Sequence, residues 1–106
     1  MSILYRRWVF VALGLLLGGG QAQADAIRVT IDQLVFSPDI ITAKVGDTIE
    51  WINKDPIDHT ATVKGDWEVM IPAGQTVIQP LEKAEAVDFY CRFHPNMMGR
   101  IIVEEK

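Results

Sequence analysis

The segment VGDTIEWIN, residues 45–53, gives the clearest indication of the fold class. Gly46 and Asp47 are typical of a tight turn, and the residues that follow them alternate between apolar and polar side chains. That alternation predicts a β-strand with Ile49 and Trp51 on the face toward the core and Glu50 on the opposite face. A strand of this kind needs a second layer to cover its apolar face.

The chain on both sides of this strand repeats the same rhythm, with short apolar runs separated by Pro, Gly, Asp and Asn. Candidate strands lie at residues 27–31, 34–36, 40–44, 48–53, 59–63, 67–71, 75–81, 87–91 and 100–104. We expect the run 67–71 to be short or irregular, and residues 81–86 to allow a helical turn. Short strands at this spacing predict an all-β protein, a Greek-key β-sandwich of seven or eight strands.

The amino-terminal residues 1–24 have the organisation of a secretory signal peptide. Arg6 and Arg7 precede an apolar run at residues 8–17, and a small-residue cleavage site follows at residues 22–24. The run is shorter than the roughly 20 residues that span a bilayer, so a retained anchor is the weaker interpretation. We expect cleavage before Asp25, a periplasmic location and a single domain at residues 25–106.

The charge balance limits the classes of partner. The whole chain carries 14 acidic and 10 basic side chains, for a net charge of −4. Loss of Arg6 and Arg7 with the leader would make the remaining domain more acidic still. Nucleic acid and anionic membrane surfaces are therefore poor partners for the exported domain, and a basic patch on another protein suits it better.

Cysteine usage is unusual for an exported domain, because Cys91 is the only cysteine of the chain. Small exported domains usually pair their cysteines in disulfides. An unpaired thiol in an oxidising compartment is exposed to oxidation or cross-linking, and a metal bound to the sulfur would prevent both.

A set of metal-ligating residue types surrounds that cysteine at regular spacing: Cys91, His94 and Met97 follow one another every third residue. His59, one of only two histidines, begins the predicted 59–63 strand. Two imidazoles, a thiolate and a distant thioether form the donor set of type 1 copper sites. The pattern predicts one copper ion per chain. Each residue alone has an ordinary explanation as a surface histidine, a buried thiol or a core-filling Met.

Two stretches then show a family resemblance. Residues 45–53 followed by His59, and the segment YCRFHPNMMGRIIV at residues 90–103, are similar to the ligand-bearing parts of plastocyanins and amicyanins, the cupredoxins. The short Cys-x-x-His-Pro-x-Met loop resembles that of amicyanin most. The resemblance implies His59, Cys91 and His94 as the equatorial copper ligands.

The axial ligand has two adjacent candidates, Met97 and Met98. In the family, the axial Met is followed by one residue of any type, then by Gly, then by Lys or Arg. Met97 fits this spacing, because Met98, Gly99 and Arg100 follow it. Met98 would then point outward and join Phe93 and Pro95 in an apolar patch around His94, where the family would dock its redox partners, a dehydrogenase or a cytochrome.

One departure concerns Thr60, since the family usually has Asn after its first ligand histidine. We expect the Thr60 hydroxyl to take over part of the task of pinning the ligand loop, and its backbone N–H to donate to the Cys91 sulfur.

Three functions compete. A monomeric electron carrier cycling between Cu(I) and Cu(II) suits the donor set best. A periplasmic copper chaperone or sequestering protein would use the same ligands for Cu(I), and the adjacent methionines favour it slightly. A copper enzyme is the poorest interpretation, because a catalytic centre needs a second metal or an open position with further histidines.

Overall fold

A computed structural model of the chain describes residues 23–106. The predicted signal peptide, apart from its last two residues, lies outside the described residues. The strands are β1 (Ala26–Asp32), β2 (Val35–Ser37), β3 (Ile40–Lys44), β4 (Thr48–Asn53), β5 (His59–Val63), β6 (Trp67–Ile71), β7 (Thr76–Pro80), β8 (Glu85–Tyr90) and β9 (Met98–Glu104). Within residues 23–106 no helix is long and apolar enough to cross a membrane.

The strands form two mixed sheets, in the order β2-β1-β4-β7 and β3-β9-β8-β5-β6. Most neighbours are antiparallel, but β1 runs parallel to β4 and β3 runs parallel to β9. The all-β sandwich predicted from the sequence is confirmed. The predicted 48–53 strand, β4, lies inside its sheet between β1 and β7.

The core lies between the two sheets and is centred on three aromatic rings. Phe36, Trp51 and Phe89 are buried, and their ring centroids lie 4.8 to 5.9 Å apart in edge-to-face contacts. Such contacts stabilise a core beyond the burial of apolar area. Trp51 also donates its indole N–H to Gln79 Oε1 at 2.9 Å, so its polar group is satisfied. The assignment of Trp51 to the core is therefore confirmed.

The observed strands differ from the sequence prediction in number and in one segment. The described chain has nine strands rather than seven or eight, because residues 67–71 form a regular strand paired with β5 and the short β2 pairs with β1. The helical turn expected at residues 81–86 is wrong. Leu81 exchanges backbone hydrogen bonds of 2.9 Å with the turn at Gly46 and Asp47, and β8 already begins at Glu85. Pairing across the sandwich overrides the local helical preference.

The pairing of β5 with β8 determines where a site can form. The two strands are antiparallel, with Thr62 opposite Tyr90, so the start of β5 lies beside the residues that follow β8. His59 is the first residue of β5, and Cys91 follows directly after β8. Two segments that are distant in sequence therefore meet at one end of the sandwich.

Candidate metal centre

His59 enters the site from the rigid part of the sheet. Its side chain is fully buried, with 0% exposure. Its Nε2 lies 2.7 Å from Asp55 Oδ2, four residues earlier in the chain. A carboxylate that accepts from Nε2–H fixes the tautomer and leaves the Nδ1 lone pair free to bind a metal.

Asp55 is itself held by backbone donors. Its Oδ1 accepts the N–H of Gln33 at 2.7 Å, and its Oδ2 accepts the N–H of Leu34 at 3.0 Å. Burial raises the pKa of Asp55, but the hydrogen bonds from Leu34, His59 and Gln33 outweigh it and leave the pKa below its ordinary value. The carboxylate is therefore ionised at neutral pH and able to orient the His59 ring.

The segment from Cys91 to Met97, called the ligand loop here, is a tight loop closed by its own backbone. The N–H of His94 donates to the carbonyl of Cys91 at 3.2 Å, and the N–H of Met97 donates to the carbonyl of His94 at 2.8 Å. The N–H of Cys91 donates back to the carbonyl of Met97 at 2.9 Å. These bonds hold Cys91, His94 and Met97 close together on one short segment.

The donor atoms converge on one point. Cys91 Sγ lies 3.6 Å from His59 Nδ1 and 3.9 Å from His94 Nδ1. All three donors lie within 4.8 Å of one another. Donors that surround one ion at about 2.0–2.3 Å are separated by distances of this size. With Met97, which is 5% exposed, they are arranged as a type 1 copper site.

The chemistry of the donors selects among metals. Zn²⁺ takes thiolate, imidazole and carboxylate ligands but not a thioether, so Met97 would contribute nothing to a zinc site. A thiolate with two imidazoles and a weak thioether suits copper in both oxidation states. The residues present therefore fit a copper ion, as the sequence predicted.

Comparison with known proteins agrees with this geometry. The sequence model of the cupredoxin-like domain family matches residues 7–103 of this chain. The chain belongs to the cupredoxin-like family.

Amicyanins are among the relatives of this cupredoxin. The amicyanin of Paracoccus versutus is 29% identical over 91 residues, which cover 76% of this chain and 67% of that protein. The amicyanin of Paracoccus denitrificans is 30% identical over 89 residues, covering 74% of this chain and 66% of its own.

The solved structures show the same likeness in three dimensions. The crystal structure of Paracoccus versutus amicyanin superposes with a TM-score of 0.66 at 30% identity, over 79% of this chain and 86% of that one. The structure of the reduced Cu(I) form of an amicyanin variant at pH 4 superposes with a TM-score of 0.65 at 29% identity. This match covers 81% of this chain and 88% of the amicyanin chain. The predicted resemblance to amicyanin is confirmed.

Thr60 supplies two contacts that this cupredoxin needs around its thiolate. Its backbone N–H donates to Cys91 Sγ at 3.4 Å, and its Oγ1 accepts the N–H of Arg92 at 2.8 Å. Both contacts expected of Thr60 from the sequence are present. The hydroxyl therefore ties the start of the ligand loop to β5.

The surface around His94 is apolar. His94 is half-buried and Pro95 is exposed, and Phe93 and Met98 expose 44% and 60% of their surface. Met98 points outward, as the family spacing predicted. Leu34, exposed by 45%, lines a shallow depression with Phe93 and His94. No local pattern in the sequence places Leu34 at this surface, because it comes from a distant turn.

Gly99 fixes the end of the ligand loop. A Cβ at this position would lie 2.4 Å from the carbonyl oxygen of Asp39 and 2.5 Å from the Phe89 ring. Such approaches are shorter than any carbon contact tolerates, so a larger residue would displace the strand that follows. The residue that follows Met98 is thus required to be Gly by close packing.

Two residues of the site were not identified from the sequence: Asn53 and Asp55. Asn53 is buried, and its side-chain amide donates to the carbonyls of Ile57, Ile71 and Pro72 at 2.9 to 3.2 Å. Its Oδ1 accepts the N–H of Asp55 at 2.9 Å. A usable signal was present, because a metal-bound His needs an acceptor for its second nitrogen and Asp55 is a nearby carboxylate.

Proposed function

We propose that this cupredoxin is a type 1 copper electron carrier of the periplasm. His59, Cys91 and His94 would be the equatorial ligands and Met97 the axial ligand. Copper bound there would supply a one-electron couple between Cu(I) and Cu(II). The observation that carries the proposal is the convergence of three donors from two rigid segments beside a partly exposed His94.

The chain's own residues support rapid electron transfer. Asp55 holds the His59 ring, and the backbone bonds within residues 91–97 hold the other donors, so the site needs little movement when its charge changes. A preorganised site lowers the reorganisation that each transfer requires. His94 lies between the buried thiolate and solvent and offers a short route for the electron.

The apolar patch of Phe93, Pro95 and Met98 would form the contact with redox partners. A small apolar surface binds transiently, which suits a carrier that must leave each partner quickly. Amicyanin-like proteins suggest a dehydrogenase or a cytochrome as partner. Export would follow from the signal peptide proposed at residues 1–24, with the carrier acting as a monomer.

The test is a visible spectrum of the protein during titration with Cu(II), followed by ascorbate. We expect an intense band in the orange-red region that saturates at one copper per chain, bleaches on reduction and returns on reoxidation. Cys91→Ser, which replaces the thiolate by a hydroxyl, should lose the band entirely.

A copper chaperone would behave differently in the same experiment. It would bind Cu(I) tightly without a stable blue Cu(II) form, and copper would oxidise Cys91. That result would overturn the carrier function, and a blue band retained by Cys91→Ser would overturn the thiolate ligand.

A further inference from the structure

Two threonines of β5 are buried on the face of the sheet that points away from the core. Ala61 and Val63 belong to the core, so the alternation of a strand turns Thr60 and Thr62 to the outer face. An outer face is usually solvated. Thr60 and Thr62 are nevertheless only 0% and 8% exposed.

A side-chain pair covers them. Glu68 lies opposite Thr62 on β6, and the guanidinium of Arg92 reaches across from the ligand loop. Arg92 Nε donates to Glu68 Oε1 at 2.8 Å and its terminal nitrogen donates to Oε2 at 3.1 Å. The guanidinium also lies 4.8 Å from the centre of the Phe93 ring. This two-pronged pair has the geometry in which Arg binds carboxylate most firmly.

The contacts close into a ring. The backbone N–H of Arg92 donates to Thr60 Oγ1 at 2.8 Å, Thr60 Oγ1 and Thr62 Oγ1 lie 2.9 Å apart, and Thr62 Oγ1 donates to Glu68 Oε1 at 2.8 Å. Glu68 then accepts from the Arg92 side chain. The ring thus begins at the backbone of Arg92 and ends at its guanidinium.

Only one direction of donation satisfies every member. The Arg92 N–H can only donate, and an ionised Glu68 can only accept. Thr60 must therefore donate to Thr62, and Thr62 to Glu68. Hydrogen bonds from Arg92 and Thr62 hold the pKa of Glu68 below its ordinary value, in agreement with the ionised form. Hydrogen bonds in such a chain strengthen one another.

The ring is attached to two residues adjacent to the ligands: Thr60 follows His59, and Arg92 follows Cys91. It therefore links β5 to the ligand loop at the point where the Thr60 N–H meets Cys91 Sγ. We propose that this closed ring positions the Thr60 N–H against the thiolate, so that Thr62 and Glu68 are positioning residues that set the reduction potential. This inference rests on the proposed copper function.

The direction of the effect follows from charge. An N–H that points at sulfur stabilises the state with more negative charge on the thiolate, which is the reduced site. If the ring opens, the Thr60 N–H and the sulfur lose their fixed separation and this stabilisation weakens. Opening the ring should therefore lower the reduction potential without removing any ligand.

Thr62→Val tests the ring at its middle, since Val keeps the shape and strand preference of Thr but lacks the hydroxyl. Thr62→Ser is the matched rescue because it keeps the hydroxyl. Thr42→Val, an identical change at an exposed position of β3, is the control. Each variant is examined by voltammetry of the copper protein and by amide hydrogen exchange of Arg92 in the copper-free and Cu(I) forms.

We expect Thr62→Val to lower the potential and to speed exchange of the Arg92 amide by about two- to tenfold, the equivalent of one hydrogen bond. Thr62→Ser and Thr42→Val should match the parent protein in both. If Thr62→Val unfolds the chain, Arg92→Lys gives the second test: Lys keeps the charge and the backbone N–H but cannot make the two-pronged contact, and the potential should fall by a smaller amount.

Unchanged exchange at Arg92 in both variants would overturn the ring itself. Faster exchange with an unchanged potential would overturn its role toward the thiolate. Should the parent protein form no blue site, the proposed function fails, while exchange in the copper-free protein still decides whether the ring exists.

Discussion

The two histidines reach the same thiolate from environments that differ in almost every respect. His59 is fully buried, belongs to a central strand and has its second nitrogen bound by Asp55. His94 is half-buried, belongs to a loop and has exposed apolar neighbours on its outer side. One histidine is fixed by the fold, and the other forms the contact with the outside. In the proposed electron carrier, this difference would separate the task of holding the metal from the task of exchanging electrons.

The strongest test of this comparison removes each ring and offers a substitute. In His94→Gly, the space opens toward solvent, so added imidazole should enter and restore the blue band. In His59→Gly, the same space lies inside the protein, and imidazole should fail to restore it. Absorption spectra of both variants, with and without imidazole, measure the effect. Equal rescue of both would show that burial does not distinguish the two ligands.

A second test removes the support of the buried ring only. Asp55→Asn keeps the size of the side chain but replaces an ionised acceptor with a weaker one. Loss of such a partner typically costs about 10- to 100-fold in metal affinity. We expect that loss here in a competition titration with a copper chelator. Asp32→Asn, at an exposed site on β1, should leave the affinity unchanged.

The third test concerns the neighbouring methionines beside His94. Met97→Leu should raise the reduction potential and keep the blue colour, because a thioether that donates to the oxidised metal is lost. Met98→Leu should change the potential little, since Met98 is 60% exposed and points away from the site. Voltammetry of the pair decides the register. A larger shift in Met98→Leu would reverse the assignment of the axial ligand.

The smallest effect is expected at Asp47, directly before β4 and at the end of that strand away from the metal site. None of the metal-binding residues is involved there. Asp47 accepts the N–H groups of Asp25 and Lys44 at 2.9 Å each, and these hydrogen bonds lower its pKa. A carboxylate with a lowered folded-state pKa contributes stability above its unfolded pKa and loses it as the pH falls through the folded value.

The free energy of unfolding of the Asp47→Asn variant should therefore fall slightly less between neutral and acidic pH than that of the parent protein. Urea unfolding of the copper-free protein between about pH 2 and pH 6 measures it. Asp39→Asn provides an exposed control. An unchanged acid dependence in Asp47→Asn would show that this turn contributes nothing to it.

The sequence predicted which four residues come together in the arrangement of a type 1 copper site, because the pattern that identifies them is local. Cys91, His94 and Met97 lie on one loop, and His59 stands at the start of a strand whose alternation is readable. The strands were predicted for the same reason, since Ile49 and Trp51 reveal their buried face without knowledge of any partner.

The parts that escaped prediction depend on contacts between distant segments. Asp55 lies only four residues before His59, but its carboxylate is held in place by the backbone N–H groups of Gln33 and Leu34, and no local pattern predicts those contacts. Residues 81–86 contain good helix formers, yet Leu81 is held by the turn at Asp47. The burial of Thr62 likewise depends on Arg92, from the other ligand-bearing segment. The local secondary-structure preference of a segment does not determine its structure where contacts with distant segments are stronger.

The parallel pairing of β3 with β9 joins segments that are far apart in the sequence. Ile40 lies opposite Arg100, and the N–H of Val45 donates to the carbonyl of Glu104. This pairing therefore brings together segments from the two halves of the domain. Contacts between such distant residues form slowly. The ligand loop, by contrast, joins β8 to β9, and the pairing of these neighbouring strands begins at Tyr90 and Met98, directly on either side of it. His59 reaches Cys91 only through the long-range pairing of β5 with β8, so we expect a chain whose loop has closed without β5 to carry an unprotected thiol that is open to oxidation.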